Sequence, residues 1–278
     1  MHQETEKEHS IFRHVHGLGN LDLLRGTYVT HTFARHTHDT YAISTIERGI
    51  EGFVYRGTRY TAPTGSLVVL HPDEAHTGYA AHETGWSYRM FYPSLPLLQQ
   101  VTTECIGQHP SLPFFPTPVI EDRHLARLLS GIHSALEASV PTLELEERLL
   151  SALLHLIVRH AKGSVIPRPA GNEHGAVQRV RAYLEANFAL NVSLETLATL
   201  TGFSPFYLTR VFTREVGLPP HVYLRQVRVQ RAKQLLSAGG SIAQVALETG
   251  FADQSHLTRH FLRVVGVTPG QYVRGIRT

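Results

Sequence analysis

The chain has little of what stabilises secreted proteins or anchors membrane proteins. Its 278 residues include a single cysteine, Cys105, so neither an internal disulfide nor a thiolate metal cluster can form. No apolar run approaches the roughly 18 residues of a membrane span, and the polar start MHQETEKEHS lacks the apolar core of a secretory signal. We therefore expect a protein of the reducing cytoplasm without a membrane partner.

Charge is scarce and unevenly distributed. Charged residues make up 18% of the chain, with a net charge of +3. From Asn172 onward twelve Lys and Arg oppose six Asp and Glu, whereas the preceding residues hold fourteen against seventeen. A basic C-terminal part beside a mildly acidic remainder indicates an anionic partner for the C-terminal part.

The first third of the chain is rich in short β-type runs. Between about residues 10 and 95 these runs are separated by turn signals such as PTG and HPD. Such spacing favours a sandwich or a small barrel. In the last run, side-chain alternation puts four residues on one face and Arg89 on the other. The four are Trp86, Tyr88, Met90 and Tyr92.

The middle of the chain changes to helical periodicity. Residues of about 121–162 carry apolar side chains at the spacing of two amphipathic helices. The second helix has a stripe of Leu145, Leu149, Leu153 and Leu156. This stripe is compatible with packing inside the chain or with a dimer seam. A Gly- and Pro-rich stretch follows and predicts a linker at 163–174, between a first domain at 1–162 and a second at 175–278.

The C-terminal part contains an internal duplication. TGFSPFYLTRVFTREVG begins at Thr201 and TGFADQSHLTRHFLRVVG begins at Thr249. Each copy predicts a short helix, a turn with glycine and a second helix, which is the pattern of a helix-turn-helix. Ser193, Ser204, Ser241 and Asp253 are the expected helix caps, with Gln244 completing a capping box, and Gly202 and Gly250 end the first helices.

The second helix of each copy has an apolar side and a polar side. Most of the outward residues are hydrogen-bond donors of the kind that bind base edges and phosphates in DNA, and an apolar group among them can contact a thymine methyl. In the first copy they are Phe206, Thr209, Arg210, Thr213 and Arg214; in the second they are Gln254, Ser255, Thr258, Arg259 and Arg263. Two copies are too few for a solenoid, which needs about three, so the duplication favours double-stranded DNA as the partner.

The last hundred residues resemble the AraC/XylS family of transcriptional regulators. The resemblance rests on YLRQVRVQRAKQLL, on SIAQVALETGFADQSHLTRHFLRVVGVTPGQYVR and on the first copy. It implies two helix-turn-helix units in adjacent major-groove segments, joined by one helix. Carried over by position, it implies base contacts by Phe206, Thr209, Arg210, Gln254, Ser255 and Arg259. Arg214 and Arg263 would then contact phosphates, which position a protein without specifying sequence.

The stretch RHTHDTY places His36 and His38 on one side of a strand, and His76 follows a later strand. This pattern resembles the small cupin-like sensor domain of many such regulators over roughly residues 25–92. Cupins hold a metal with three His and a Glu, and the expected Glu is missing here. Three His could still bind zinc or iron with water, or they could hydrogen-bond a ligand or each other.

A barrel of this size can enclose one small ligand. The predicted effector pocket consists of His36, His38, Tyr41, Ile43, His76, Trp86, Tyr88, Met90 and Tyr92. The whole is an α+β multidomain chain, with a cupin-like β-barrel and a helical pair followed by an all-α double helix-turn-helix domain. We expect a one-component, non-enzymatic regulator that binds promoter DNA as a homodimer, and that meets RNA polymerase if it is an activator.

Two alternatives stay open at this stage. One is a metal-dependent cupin enzyme fused to a DNA-binding domain. The other is a DNA-binding protein that needs no effector, with the barrel serving only for dimerisation.

Overall fold

The structure is a computed structural model, and it describes residues 8–16, 19, 21–106, 112–138, 142–162, 173–265 and 267–276. The chain forms two compact units. The N-terminal unit comprises Met1–Pro141 and Arg148–Arg168, and the C-terminal unit comprises Thr142–Glu147 and Pro169–Thr278. The predicted linker at 163–174 lies almost entirely outside the described residues. No helix in the described part of the chain has the length and apolarity needed to cross a membrane.

Strands dominate the N-terminal unit. They are β1 (His9–Val15), β2 (Leu21–Tyr28), β3 (Thr32–His36), β4 (Ala42–Tyr55), β5 (Thr58–Pro63), β6 (Leu67–Leu70), β7 (His76–Ala80), β8 (Trp86–Tyr92) and β9 (Val119–Ile120). Helix α1 (Leu95–Ile106) lies between β8 and β9 in the chain. Helices α2 (Arg123–Ala138) and α3 (Leu143–His160) follow β9. The predicted strand region and helical pair are confirmed, whereas α1 was not predicted.

Two antiparallel sheets share the long strand β4. One has the order β1-β2-β8-β4-β6-β9, and the other pairs β3 with β7 and β4 with both β7 and β5. Together they surround an apolar cluster to which β2, β4, β5, β6 and β8 all contribute buried side chains. This arrangement agrees with the predicted strand domain, while its assignment to the cupin topology stays a prediction.

A register shift in β4 changes which side chains face this interior. The pairing of β4 with β8 shifts between Ile46 and Arg48. Before the shift Ala42 and Ile46 belong to the interior cluster, and after it Phe53 and Tyr55 do. One extra residue in a strand moves every later side chain to the opposite face. The inward positions are therefore even-numbered before the shift and odd-numbered after it.

Helix α2 covers the outer face of the first sheet. Arg89 Nε donates to Glu47 Oε1 at 2.7 Å, and its Nη1 binds Glu137 of α2. His133 Nε2 lies 3.2 Å from the carbonyl oxygen of Met90, and Thr45 and Ser130 share a hydrogen bond of 2.8 Å. The prediction that Arg89 faces away from the pocket is therefore confirmed.

The leucine stripe of α3 is buried within the single chain. Leu145, Leu149, Leu153 and Leu156 are at most 7% exposed. A side chain that is already buried has no apolar surface to offer a second copy. The packing alternative is thus favoured over a dimer seam at this stripe.

The described part of the C-terminal unit is helical. Besides the first residues of α3, it contains α4 (His174–Ala186), α5 (Leu194–Thr201), α6 (Pro205–Val216), α7 (Pro220–Ser237), α8 (Ile242–Glu248), α9 (Gln254–Val265) and α10 (Pro269–Ile276). We call α5 with α6 the first repeat and α8 with α9 the second repeat, and α7 runs between them. The predicted pair of helix-turn-helix units is confirmed.

The predicted caps explain where these helices begin. Ser193 and Ser204 accept the backbone N–H of Thr196 and Tyr207, each at 3.1 Å. In the second repeat, Ser241 accepts from Gln244 N at 3.3 Å and Asp253 accepts from His256 N at 2.6 Å. Each cap satisfies a backbone donor that the first turn of a helix leaves unpaired.

The predicted capping box at Ser241 forms only in part. The side chain of Gln244 donates to Glu248 Oε1 at 2.8 Å, one turn further along α8. It therefore does not bind back to the N-cap, because an acceptor at i+4 on the same helix face holds its amide.

Candidate nucleic-acid interface and ligand pocket

The second repeat presents a polar helix face as the sequence predicts. Gln254, Ser255, Arg259 and Arg263 of α9 are exposed. On the opposite side, Leu257 and Phe261 are 0% exposed and belong to the core shared with α7 and α8. The apolar side thus fixes the helix while the donors reach solvent. Arg can bind guanine and Gln can bind adenine in the major groove.

The first repeat departs from the prediction at Phe206. Its ring is only 5% exposed, and the guanidinium carbon of Arg210 lies 5.6 Å from the ring centroid. The predicted role of Phe206 as a base contact is wrong because a buried ring has no surface left for a base. Phe206 instead supports Arg210 through a cation–π contact, and Arg214 is exposed one turn later.

A threonine on each presented helix is hydrogen-bonded to its own backbone. Thr209 Oγ1 donates to the carbonyl of Pro205 at 2.9 Å, and Thr258 Oγ1 donates to that of Gln254 at 2.8 Å. Each hydroxyl proton is therefore engaged, while the methyl group and the oxygen lone pairs remain. At Thr209 these can contact a thymine methyl or accept from a base amine.

Two histidines on α9 have lowered pKa values. The rings of His256 and His260 are 4.8 Å apart. Burial lowers the pKa of His260 to about 4, with Arg225, His256 and Arg263 adding repulsion. The positive charge of this helix at pH 7 therefore comes from Arg259 and Arg263.

In the N-terminal unit, much of the predicted pocket comes together. Trp86, Tyr88 and Met90 belong to one buried cluster, and Tyr92 packs against it. The ring of His38 lies 5.1 Å from that of Tyr92, so the histidines adjoin the aromatic residues. The even-numbered residues of β8 thus share the inward face, as the sequence predicts.

Two predicted pocket residues lie elsewhere. The hydroxyl of Tyr41 donates to the carbonyl of Pro113 at 2.7 Å. Ile43 pairs with Val69 and Phe91 and is 0% exposed, on the face of β4 opposite to Ala42. Both predictions are wrong, because odd-numbered residues face outward before the register shift of β4.

The three predicted histidines form one cluster. The nearest nitrogens of His36, His38 and His76 all lie within 4.8 Å of one another. The Nδ1 atoms of His36 and His76 lie 2.7 and 3.0 Å from the carbonyls of Ala34 and Glu74. Carbonyls accept only, so each Nδ1 carries the proton and each Nε2 keeps its lone pair.

Two imidazoles of this cluster, those of His38 and His76, have lowered pKa values. Burial lowers the pKa of His38 to about 4, with further repulsion from His76 and His36, and burial also lowers the pKa of His76. Neutral imidazoles held by backbone carbonyls can bind a divalent ion. Around tetrahedral zinc, ligand nitrogens are about 3.4 Å apart.

Sequence reasoning missed four residues of this interior. Tyr28 and Phe33 pack with Trp86 at ring distances of 5.2 and 6.4 Å. Ser44 and Glu51 of β4 are buried, with 0% and 9% exposure. The alternation of Glu51 with Phe53 and Tyr55 could have placed Glu51 inside. Nothing in the sequence marked the register shift that separates it from Ser44.

Comparisons with known proteins match both units. Residues 18–153 match the family of AraC-like ligand binding domains, and residues 197–275 match a family of helix-turn-helix domains. YbfI of Bacillus subtilis, an uncharacterized HTH-type transcriptional regulator, is 31% identical over 242 residues, covering 86% of each chain. The transcriptional activator RhaS of Klebsiella pneumoniae is 26% identical over 235 residues, covering 81% of each.

A solved structure also matches the C-terminal part. A probable AraC family regulator from Rhodopseudomonas palustris is 32% identical over 37% of this chain and 99% of that one, with a TM-score of 0.35. The ligand-binding match, the helix-turn-helix match and the similarity to YbfI over most of both chains point to the same class of protein. The chain therefore belongs to the AraC family, and it is an effector-modulated, DNA-binding transcriptional regulator rather than an enzyme.

Proposed function

We propose that both repeats bind one promoter site and divide the work of recognition unequally. In the second repeat, Gln254, Ser255 and Arg259 contact bases. In the first repeat, Arg210 contacts a base and Thr209 contacts a thymine methyl. Arg214 and Arg263 contact phosphates, which set the position of each helix without adding specificity.

The observation that carries this proposal is the polar face of α9. Four exposed side chains on it are hydrogen-bond donors, and the apolar side of the same helix is fully buried. A helix with this division can enter a major groove without losing its core contacts. A merely solvated surface has no need for such a set of donors, and the helix itself, Gln254–Val265, contains no acidic residue.

The interior of the N-terminal unit is the proposed effector pocket. His36, His38 and His76 bound it on one side, and Trp86, Tyr88, Met90 and Tyr92 line it together with Tyr28 and Phe33. An effector changes promoter binding only if it binds two conformations of the protein with different affinity. We expect the effector to change operator affinity by at most the ratio of its affinities for the two conformations.

The proposal includes a homodimer in the cytoplasm, where the DNA is. A dimer meets two half-sites along the DNA, which raises affinity without new types of contact. The buried leucines of α3 do not supply its seam. If the protein is an activator, RNA polymerase is a further partner.

Native mass spectrometry of freshly purified full-length protein tests the effector part of the proposal. We expect a dimer mass and a retained small molecule, which the variant Trp86→Phe with Tyr88→Phe loses. The affinity for operator DNA, measured with and without the extracted molecule, then gives the coupling free energy between effector binding and DNA binding. Equal operator affinity in both cases, over a range of effector concentrations, would contradict the proposed pocket.

A further inference from the structure

The effector pocket contains a buried carboxyl group with no resident counter-ion. Glu51 lies on the inward face of β4 with Phe53 and Tyr55, and it is only 9% exposed. Its Oε2 has no hydrogen-bond partner among the described residues. A buried carboxyl without a partner is costly to keep ionised.

The surroundings of Glu51 explain its state. Burial alone raises the pKa of Glu51 to about 8. No described cation therefore stabilises its charged form. Arg25 of β2 and Arg89 of β8 lie opposite each other in the sheet, and the side chains of both contact Glu137 on its outer face.

Two further polar atoms of the same interior also lack partners in the described part of the chain. These are Nε1 of Trp86 and Oγ of Ser44, and both residues are 0% exposed. Ser44 pairs with Met90, and Trp86 belongs to the cluster of Met90 and Tyr88. Buried polar atoms are almost always satisfied by protein, water or ligand. Three such atoms on one inward surface therefore indicate a polar ligand.

Aromatic rings form the remaining wall. Tyr28 lies 5.2 Å from Trp86, 6.0 Å from Tyr88 and 5.1 Å from Phe33, measured between ring centroids. Burial is the main cause that raises the pKa of the Tyr88 and Tyr92 hydroxyls, and the charge of Glu51 adds to it, so the carboxyl lies near these rings. Ring faces attract cations, most strongly where water is excluded.

We propose that the effector is an organic ammonium ion whose charged nitrogen meets Glu51 and whose body lies among these aromatic rings. This inference rests on the proposed effector pocket and names its ligand class. An ammonium ion supplies the missing counter-charge, and its N–H groups or a hydroxyl on it satisfy the orphaned oxygens. Trp86 Nε1 donates to an acceptor on the same molecule. An anionic effector would be repelled by the Glu51 carboxylate, and the described residues of the pocket offer no cation to bind it.

The test compares cations with neutral molecules of the same shape. Choline is paired with 3,3-dimethylbutan-1-ol, and phenethylamine is paired with 2-phenylethanol; putrescine and tyramine widen the set of amines. Trp86 is the only tryptophan in the chain, so its fluorescence reports on the pocket in the full-length protein. Calorimetry in two buffers of different ionisation enthalpy counts protons released on binding.

We expect at least one amine to bind at least tenfold more tightly than its neutral partner, with release of up to one proton at pH 7. Glu51→Gln keeps the shape of the side chain, and it should reduce the preference to less than threefold and abolish proton release. Glu47→Gln is the matched control, since Glu47 binds Arg89 on the outer face. It should retain the wild-type preference.

Three outcomes would overturn the ammonium class. The first is that each neutral analogue binds as tightly as its amine. The second is that Glu51→Gln binds amines as tightly as the wild type does. The third is that no amine of the set binds. If neutral molecules bind and Trp86→Phe weakens them in thermal-shift measurements, the pocket stands and only the ligand class fails. The pocket itself fails if the retained molecule of the native protein is unaffected by changes at Trp86 and Tyr88.

Discussion

Arg259 and Arg263 are neighbours one turn apart on α9, and both are exposed. Their positions on the helix nevertheless predict different contributions. Arg259 lies in the middle of the presented face, beside Ser255, whereas Arg263 belongs to the last turn. The N-terminal part of a recognition helix contacts base edges, so we expect Arg259 to meet bases and Arg263, in the last turn, to meet the DNA backbone.

Replacing Arg259 by alanine should weaken binding to the cognate site by about 1–3 kcal/mol and relax the preference at one base pair. The reason is that a bidentate contact to guanine discriminates between bases. Fluorescence anisotropy with the cognate site and with single-base variants measures this. An equal loss on all sequences would instead make Arg259 a phosphate contact.

Replacing Arg263 by alanine should lower affinity on every sequence alike and reduce the salt dependence by about one charge. The same holds for Arg214 of the first repeat. The measurement is the slope of log affinity against log salt concentration. An unchanged slope would remove the residue from the set of backbone contacts.

Glu51 predicts a pH dependence of stability that its amide replacement lacks. Its pKa in the folded protein is raised from 4.5 to about 8. The protonated side chain is therefore favoured by folding, and this contribution is complete below about pH 4.5 and is lost as the pH rises through 8. Glu51→Gln should gain thermal stability relative to the wild type between pH 5 and pH 8.5.

The matched comparison for that experiment is Glu47→Gln, which changes a partly exposed carboxylate on the outer face. Melting temperatures at pH 5, 7 and 8.5 provide the data. A difference between Glu51→Gln and wild type that stays constant over this range would show that the carboxyl is equally ionised in both states.

At the scale of the elements, the two repeats begin and end by the same rules but differ in packing. Gly202 follows the end of α5 with a φ angle of 72°, and Gly250 lies in the turn after α8 with a φ angle of 78°. Left-handed backbone of this kind favours glycine. A Cβ at Gly202 would meet nothing within 4 Å, whereas one at Gly250 would lie 2.8 Å from the carbonyl oxygen of Ala189.

Gly202→Ala should therefore destabilise the protein by about 1 kcal/mol through backbone strain alone. Gly250→Ala should cost clearly more, because the backbone of Ala189 has to move. Thermal unfolding of the two full-length variants makes the comparison. Equal melting temperatures would mean that the turn of the second repeat relaxes without cost.

The elements also show how far the sequence could predict the site. Caps and glycines located the helices of both repeats, because those signals act within a few residues. The even-numbered face of β8 was predictable from alternation. Tyr41 and Ile43 were assigned wrongly and Glu51 was missed. The inward face of β4 depends on a register shift, and such a shift is set by pairing with distant strands. Phe206 was misassigned because its burial depends on packing rather than on helical periodicity.

At the scale of the whole molecule, the chain combines a ligand-binding domain and a DNA-binding domain of the AraC type. Length, charge distribution and the duplicated segment predicted this organisation, because the duplication is long and specific. The ligand class could not be predicted, since it depends on which few polar atoms meet inside the strand domain. Ser44 and Glu51 share one inward surface only because the register of β4 shifts between them, and Trp86 joins them from β8 only after folding.

The most direct test of the account is in vitro selection of DNA sequences by the full-length protein. Two repeats that bind successive major-groove segments should enrich two blocks of conserved bases, with centres about 10–10.5 base pairs apart. Arg210→Ala should erase preference in one block and Arg259→Ala in the other. A single enriched block, or loss of both blocks in each variant, would contradict recognition by two independent repeats.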